Sequence, residues 1–333
     1  MRRLLLTVLL AVPISADTTV TLLHFSDYHS HALPFYTDEG ERGGIARAVA
    51  FLRREKRKGA LVFSGGDTIN KGAPAWSDKY GCAEWSWLNG IVDAMAFGNH
   101  DADYGPEAFE RCRKSARYPI LSANIGGFPP YAVFNASGIR VGVFAVAGRD
   151  FAQLVKEPGF TPGDPIETAR RVVRELKESH KAAVIVMIGH EHTEDDYALA
   201  RAVGGIDVIF GSHSHLLRDL TCIPGTDTWF ISPSQYLTNI SRVEITLDGN
   251  DRVKDVRGAL IPVDSRMSED RAVRRRVNRM QRELERDPQY RELFVPIARL
   301  AAPLKLEALA ERTLEAMREA TGADVALSTT SSF

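Results

Sequence analysis

Cysteine is scarce. There are three in 333 residues, Cys82, Cys112 and Cys222, and no two lie close enough to form a CxxC pair. A thiolate-based metal site of the zinc-ribbon kind is therefore excluded. An oxidising compartment would permit one disulfide and leave one thiol over; Cys82 with Cys112 is one pairing, and the sequence alone does not choose it. Excess charge of either sign is also lacking. Lys and Arg number 42 against 43 Asp and Glu, a formal net charge of -1, so no global field draws duplex nucleic acid or an anionic membrane. No apolar run is long enough to span a bilayer. The run over residues 4–14 follows Arg2-Arg3 and precedes Ser15-Ala16, so residues 1–16 are expected to be a secretory signal peptide and the mature chain secreted or periplasmic. Internal repeats and low-complexity tracts are absent as well.

What remains is a composition of 44% hydrophobic and 26% charged residues, ordinary for a folded globular protein, at a length that suits one large domain with or without a fragment. Apolar strands and amphipathic helices alternate along it. Residues 18–25 read as a strand, 45–58 as a helix opened by Gly43-Gly44, and 60–63 as a short strand covered on both faces. Residues 71–87 read as a loop with a short helix. A strand over 92–97, a helix over 106–115 and a strand over 119–122 follow, then a hairpin turning across 135–138. Further on come helices over 166–181 and 194–202, with strands over 183–188, 206–210, 229–232 and 243–247. Two charged helices, 269–286 and 304–321, and an apparent strand over 323–328 close the chain. The arginines of 271–282 are flanked by Glu269, Asp270, Glu283 and Glu285, so they are expected to form a solvated helix face.

Five of the apolar strands end alike. Each runs into glycine or serine and then into an oxygen or imidazole donor: Asp27 and His29, Asp67, Asn99 and His100, His190, and His213 with His215. Taken singly, each has an ordinary structural explanation, Asp67 as a helix cap and Asn99 as a turn former. Taken together, strand ends converging on one sheet edge would gather donors of a kind suited to borderline divalent metals such as Zn, Mn, Fe or Co. The spacing of two in Asp27-x-His29 and His213-x-His215 is expected to come from strand alternation, which points alternate side chains the same way.

The motifs Ser26-Asp27-Tyr28-His29, Gly66-Asp67, Gly98-Asn99-His100-Asp101-Ala102-Asp103, Ser122-Ala123-Asn124, Gly189-His190 and Gly211-Ser212-His213-Ser214-His215 resemble those of the calcineurin-like metallophosphoesterases, and within them the secreted 5′-nucleotidases. The resemblance implies an α/β fold, a four-layer α/β/β/α sandwich, with two divalent metal ions at one edge. It implies Asp27, His29 and His215 as ligands of the first metal, Asn99, His190 and His213 as ligands of the second, and Asp67 as the bridge. It implies His100 as the catalytic histidine, oriented by Asp103, with Asp101 the second choice for that role. Asn99, His100 and Asn124 are the expected substrate contacts. The substrate class it implies is a small phosphate ester, foremost a 5′-nucleotide. A cyclic nucleotide, a nucleotide sugar or a thiosulfonate ester are alternatives, and a secreted binding protein that keeps the fold without turnover is the reading from another class. His192 stands where the family usually has glycine and is expected to face solvent. The domains expected are a catalytic domain over 17–265, a helical linker over 266–303 and, over 304–333, the incomplete start of a 5′-nucleotidase C-terminal-like domain.

Overall fold

A computed structural model describes residues 17–327 apart from 73, 74, 158, 297, 298, 300 and 303. The expected signal peptide lies outside the described residues. No described helix is long and apolar enough to cross a membrane.

The first half of the chain supplies β1 (Thr18–Phe25), a hairpin of β2 (Pro34–Thr37) and β3 (Gly40–Gly43), α1 (Ile45–Lys56), β4 (Leu61–Ser64), α2 (Ala75–Tyr80), β5 (Ala94–Ala96), α3 (Pro106–Ser115) and β6 (Ile120–Leu121). It continues through the hairpin β7 (Tyr131–Ala136) and β8 (Ile139–Phe144), then α4 (Phe151–Val155) and α5 (Pro165–Glu178). The second half supplies β9 (Val184–Met187), α6 (Thr193–Ala202), β10 (Val208–Phe210), β11 (Leu217–Cys222), β12 (Trp229–Pro233), β13 (Asn239–Leu247), β14 (Val253–Pro262), α7 (Arg271–Arg286) and α8 (Leu306–Thr321).

Two six-stranded sheets form, in the orders β14-β13-β1-β4-β5-β6 and β11-β12-β10-β9-β8-β7. In the first, β1, β4, β5 and β6 run parallel; in the second, β8, β9, β10 and β12 do. Side-chain alternation then builds four layers. In β1, Val20 and Leu22 enter the core between the sheets with Phe63, Val143, Val186 and Phe210, while Leu23 and Phe25 face an outer core shared with Val49, Leu52, Val277 and Leu284. On the far side Phe144 and Val146 pack on Val172, Leu176 and Leu199 of α5 and α6. Strands buried on both faces read as continuous apolar runs, which is how the sequence shows them.

Of the segment 266–303, expected as a linker, α7 is built into the body. Val273, Val277, Met280 and Leu284 join the outer core, and Arg53 of α1 pairs with Asp270. The arginines of α7 face outward, as expected. By contrast α8 buries none of its residues. The strand expected over 323–328 does not form in its described part, 323–327, where Val325 and Leu327 are exposed and no described strand pairs with the segment.

Cys82 and Cys112 are joined, tying the start of a 3-10 turn (Ala83–Leu88) to α3; Cys222 is free and exposed. The bond closes a separation of 30 residues. Chain entropy then gives it about 3–4 kcal/mol. The double variant Cys82→Ser, Cys112→Ser is expected to lose that amount in a denaturant titration. Thiol titration of the unfolded, unreduced chain should find only Cys222.

Candidate metal centre

The site is made of loops that leave the carboxyl ends of β1, β4 and β5 in one sheet and of β9 and β10 in the other. The backbone zips the first two loops together: Asp27 N–H donates to the Gly66 carbonyl at 3.1 Å, His29 N–H to that of Asp67 at 3.0 Å and Ser30 N–H to that of Thr68 at 3.0 Å. Asp27, His29, Asp67, His213 and His215 all have positive φ, between 47° and 57°. Left-handed backbone is costly for non-glycine residues, roughly 1–2 kcal/mol each. It marks a place where surrounding structure dictates the conformation. This corrects the expectation about spacing: Asp27 with His29, and His213 with His215, converge through left-handed turns, not through continued strand alternation. Gly98 is needed for a different reason, since a Cβ there would lie 2.2 Å from Asp67 Oδ1.

Asp101 locks the loops. It is buried and accepts from Thr68 N–H (2.9 Å), Thr68 Oγ1–H (2.6 Å), Asp67 N–H (3.1 Å) and Gly98 N–H (3.0 Å). Burial, with the charge of Asp67, pushes its carboxyl up to about 7, and the four donors oppose that. Asp101→Ala leaves these donors without a buried partner, which costs about 2 kcal/mol or more. The variant is expected to show a lower melting temperature and weaker metal retention together, because the locked loops carry the donors.

The donors fall into two groups sharing one carboxylate. In the first, His29 Nε2 and His215 Nε2 face each other at 3.1 Å, with Asp27 Oδ1 at 3.4 Å from His215 and 3.9 Å from His29. In the second, His190 Nε2 lies 3.1 Å from Asn99 Oδ1 and 3.1 Å from Asp67 Oδ2, and His213 joins Asp67 and His190 with ligand atoms all within 4.8 Å. Asp67 Oδ2 also lies 4.0 Å from His29 Nε2, so it faces both groups. Two imidazole nitrogens pointing at each other can share at most one proton. Such a pair beside a buried carboxylate fits a cation better than it fits a closed hydrogen-bond network. The donor set of imidazoles, carboxylates and one amide oxygen suits borderline divalent ions. Burial disfavours the His190 imidazolium, but the charge of Asp67 and its hydrogen bond outweigh that and lift the group to about 10. A metal binding there must displace that proton, so affinity falls as pH falls.

His100 stands at the mouth. Its side chain is 36% exposed, its Nδ1 lies 2.8 Å from Asp103 Oδ2, and its backbone N–H donates to Asp67 Oδ1 at 2.8 Å. Burial lowers it, but Asp103 and the charge of Asp67 raise it further, to about 9. Asp103 thus meets the ring, and Asp101, the second choice, does not. Asn124 departs from expectation. Both amide donors go to backbone, the carbonyls of Ala147 (2.9 Å) and Gly163 (3.0 Å), and its oxygen accepts from Ala147 N–H at 2.8 Å. The side chain is spent on holding loops, which leaves it no donor for a substrate.

His192 is half exposed yet engaged, with Nε2 3.1 Å from Asp150 Oδ2. Asp150 was not among the sequence candidates. It follows Gly148 beyond the apolar run of β8, a sixth instance of the strand, glycine and donor pattern. Tyr236 was missed too. Its ring stacks on His31 at 3.7 Å and stands 5.9 Å from that of His29, and its N–H donates to the Asp27 carbonyl at 2.8 Å. It comes from a loop between β12 and β13 that carries no pattern.

Two stacked sheets between helices, with imidazole and carboxylate donors gathered at the carboxyl edges of both, define a metal-site hydrolase of the α/β/β/α class. The chain belongs to the calcineurin-like phosphoesterases, whose family model matches residues 20–217. It is 28% identical to Protein UshA of Yersinia enterocolitica, over 83% of this chain and 58% of that protein. It is 32% identical to a 5′-nucleotidase of Vibrio cholerae, over 63% of this chain and 42% of that protein. Among solved structures, the 5′-nucleotidase precursor of Thermus thermophilus superposes with a TM-score of 0.73 at 26% identity, over 81% of this chain and 60% of that one. The chain thus spans between about four-tenths and six-tenths of these proteins' own lengths.

Proposed function

We propose that this chain hydrolyses phosphate esters, foremost 5′-nucleotides, with two divalent ions held by Asp27, His29 and His215 on one side, Asn99, His190 and His213 on the other, and Asp67 between. The observation that carries the reading is the shared carboxylate: Asp67 faces a donor group on each side, and His100 is tied to it through the main chain. The 5′-nucleotidases among its relatives support the substrate.

Bound there, the two ions would supply Lewis acidity toward the phosphoryl group and toward the attacking water. The chain's own contribution is position and protons. In the metal-free protein burial opposes the His100 imidazolium, but Asp103 on its Nδ1 and the charge of Asp67 lift it to about 9. Its other nitrogen is left to donate to a phosphoryl oxygen or to the leaving oxygen. Asp103 also accepts from Lys71 N–H at 2.9 Å, which fixes the carboxylate that fixes the histidine.

Export is part of the proposal: residues 1–16 direct it, and an oxidising compartment suits the Cys82–Cys112 bond. The catalytic domain we assign to 17–265 is extended by α7, whose apolar face lies in its outer core. Residues 304–333 are assigned to the beginning of a further domain of the 5′-nucleotidase C-terminal kind, in keeping with the unburied α8.

The test strips the purified chain with chelator, reloads it with Mn or Zn, and follows phosphate release from AMP beside a cyclic nucleotide and an aryl phosphodiester. Metal-dependent release from AMP is expected. Turnover of diesters alone would reassign the substrate to phosphodiesters. No turnover with two ions bound would favour a binding protein.

A further inference from the structure

One carboxylate at the centre has no place in the ligand set above. Asp150 occupies the N-cap position of α4, where an aspartate usually accepts from the free N–H groups of the first turn. Its side chain makes no such bond. Instead Oδ2 lies 3.1 Å from Nε2 of His213 and 3.1 Å from Nε2 of His192. The local backbone holds it there. Gly148 N–H donates to the His190 carbonyl at 2.9 Å, and Ala147 bridges His190 in parallel register. Gly148 also makes room: a Cβ there would lie 3.0 Å from Asp150 Oδ1 and 3.0 Å from the Cβ of Glu191.

We propose that Asp150 is a positioning residue for the second metal: it takes the Nε2–H of His213, fixes the ring, and leaves Nδ1 free to ligate. The inference rests on the ligand role proposed for His213. A neutral imidazole has one N–H and one lone pair, so a partner that claims the N–H decides which nitrogen is left for a cation. The neighbouring histidines use the same device with weaker partners. His190 Nδ1 is held by the Gly65 carbonyl at 2.7 Å, and His29 Nδ1 faces the Ile69 carbonyl at 3.4 Å. Those two present Nε2 to the centre. On His213 it is Nε2 that meets the anchor, and the anchor is the charged one. A carboxylate on the outer nitrogen makes the ring a more basic ligand as well as a better oriented one, an effect worth about 10–100-fold in metal affinity. His192 Nε2 stands 3.1 Å from the same oxygen on the solvent side, with a side chain 49% exposed, and its ring lies 4.5 Å from that of His213.

The experiment compares wild type with Asp150→Ala, Asp150→Asn, His192→Ala and His190→Ala by chelator-competition titration, counting ions per chain. Thermal unfolding of the metal-stripped proteins is measured in parallel. Asp150→Ala is expected to bind the second ion about 10–100-fold more weakly while keeping the first. Asp150→Asn should fall between, because an amide oxygen still accepts the N–H but without charge. The metal-free melting temperature should not move, which separates positioning from folding. His192→Ala should keep both ions. If Asp150→Ala titrates like wild type while His190→Ala loses the second ion, the ligand set stands and Asp150 has no part in it. If His190→Ala keeps both ions, the ligand set itself fails. If His192→Ala loses an ion, the Asp150–His192–His213 group is a cation site in its own right and the positioning role is overturned.

Discussion

Asp67→Ala is expected to leave the chain with almost no bound metal after gel filtration, where wild type is expected to retain two equivalents, and to abolish turnover. The size of the effect follows from electrostatics. Ions in a two-metal site stand about 3.5–4 Å apart. At 4 Å two unit charges repel by about 4 kcal/mol at an effective dielectric constant of 20, and two divalent ions by about four times that. A carboxylate between them offsets part of the repulsion for both at once, which no ligand on the outer side can do. Asp67 is 1% exposed, its Oδ2 faces His190 at 3.1 Å and His29 at 4.0 Å, and its Oδ1 takes the His100 N–H. Asp67→Asn keeps an acceptor for that N–H and removes the charge. It should therefore lose metal nearly as completely, which assigns the loss to charge and not to the loop. Two ions per chain in either variant, measured by atomic emission, would sink the bridging role.

The donors of this site were legible in sequence because each follows an apolar strand directly, so a chain read only for hydrophobic runs shows where they end. His190 after β9 and His213 after β10 are the plainest cases. Ile188 and Phe210 are fully buried, and the next residues are glycine and polar groups. The left-handed turns that aim Asp27, His29, His213 and His215 were not legible, because none of these positions is a glycine or asparagine that would advertise positive φ. Nor was the choice between Asp101 and Asp103 settled by the residues themselves. Both carboxylates lie near His100 in sequence, and only the fold shows that one meets the ring while the other accepts from Thr68, Asp67 and Gly98. β14 carries little strand pattern, being an edge strand with six of its ten residues charged, glycine, alanine or proline; its place comes from backbone pairing with β13 along its length. The converse holds at 323–327, where Val325 and Leu327 are spaced as in a strand but no described strand pairs with the segment. Pattern reports what a segment could bury, and pairing decides whether it does.

His100→Asn should lower kcat by about 10²–10⁴ while leaving two ions bound, the range expected when one positioned proton donor is lost. The retained metal follows from the ligand set: a His100 ring nitrogen lies within 4.8 Å of donor atoms of His29 and Asp67 but is not among the proposed ligands, its Nδ1 is bonded to Asp103, and its backbone N–H bond to Asp67 is kept in the variant. The same contacts set the pH dependence. Burial works against the imidazolium, but Asp103 and Asp67 lift the metal-free group to about 9, so it is protonated at neutral pH and loses its proton as pH rises. A rate that needs this proton falls on the alkaline side, and divalent ions beside the ring bring that limb closer to neutrality by repelling its positive charge. His100→Asn should therefore lose the alkaline limb along with most of the rate. Asp103→Asn should keep the limb but move it to lower pH, since the carboxylate that holds the proton is gone. The two variants are read by kcat/KM across a pH series with metal content checked at each point. A His100→Asn enzyme with wild-type kcat would remove His100 from the chemistry. An Asp103→Asn limb at the wild-type position would show that Asp67, and not Asp103, sets the proton affinity of the ring.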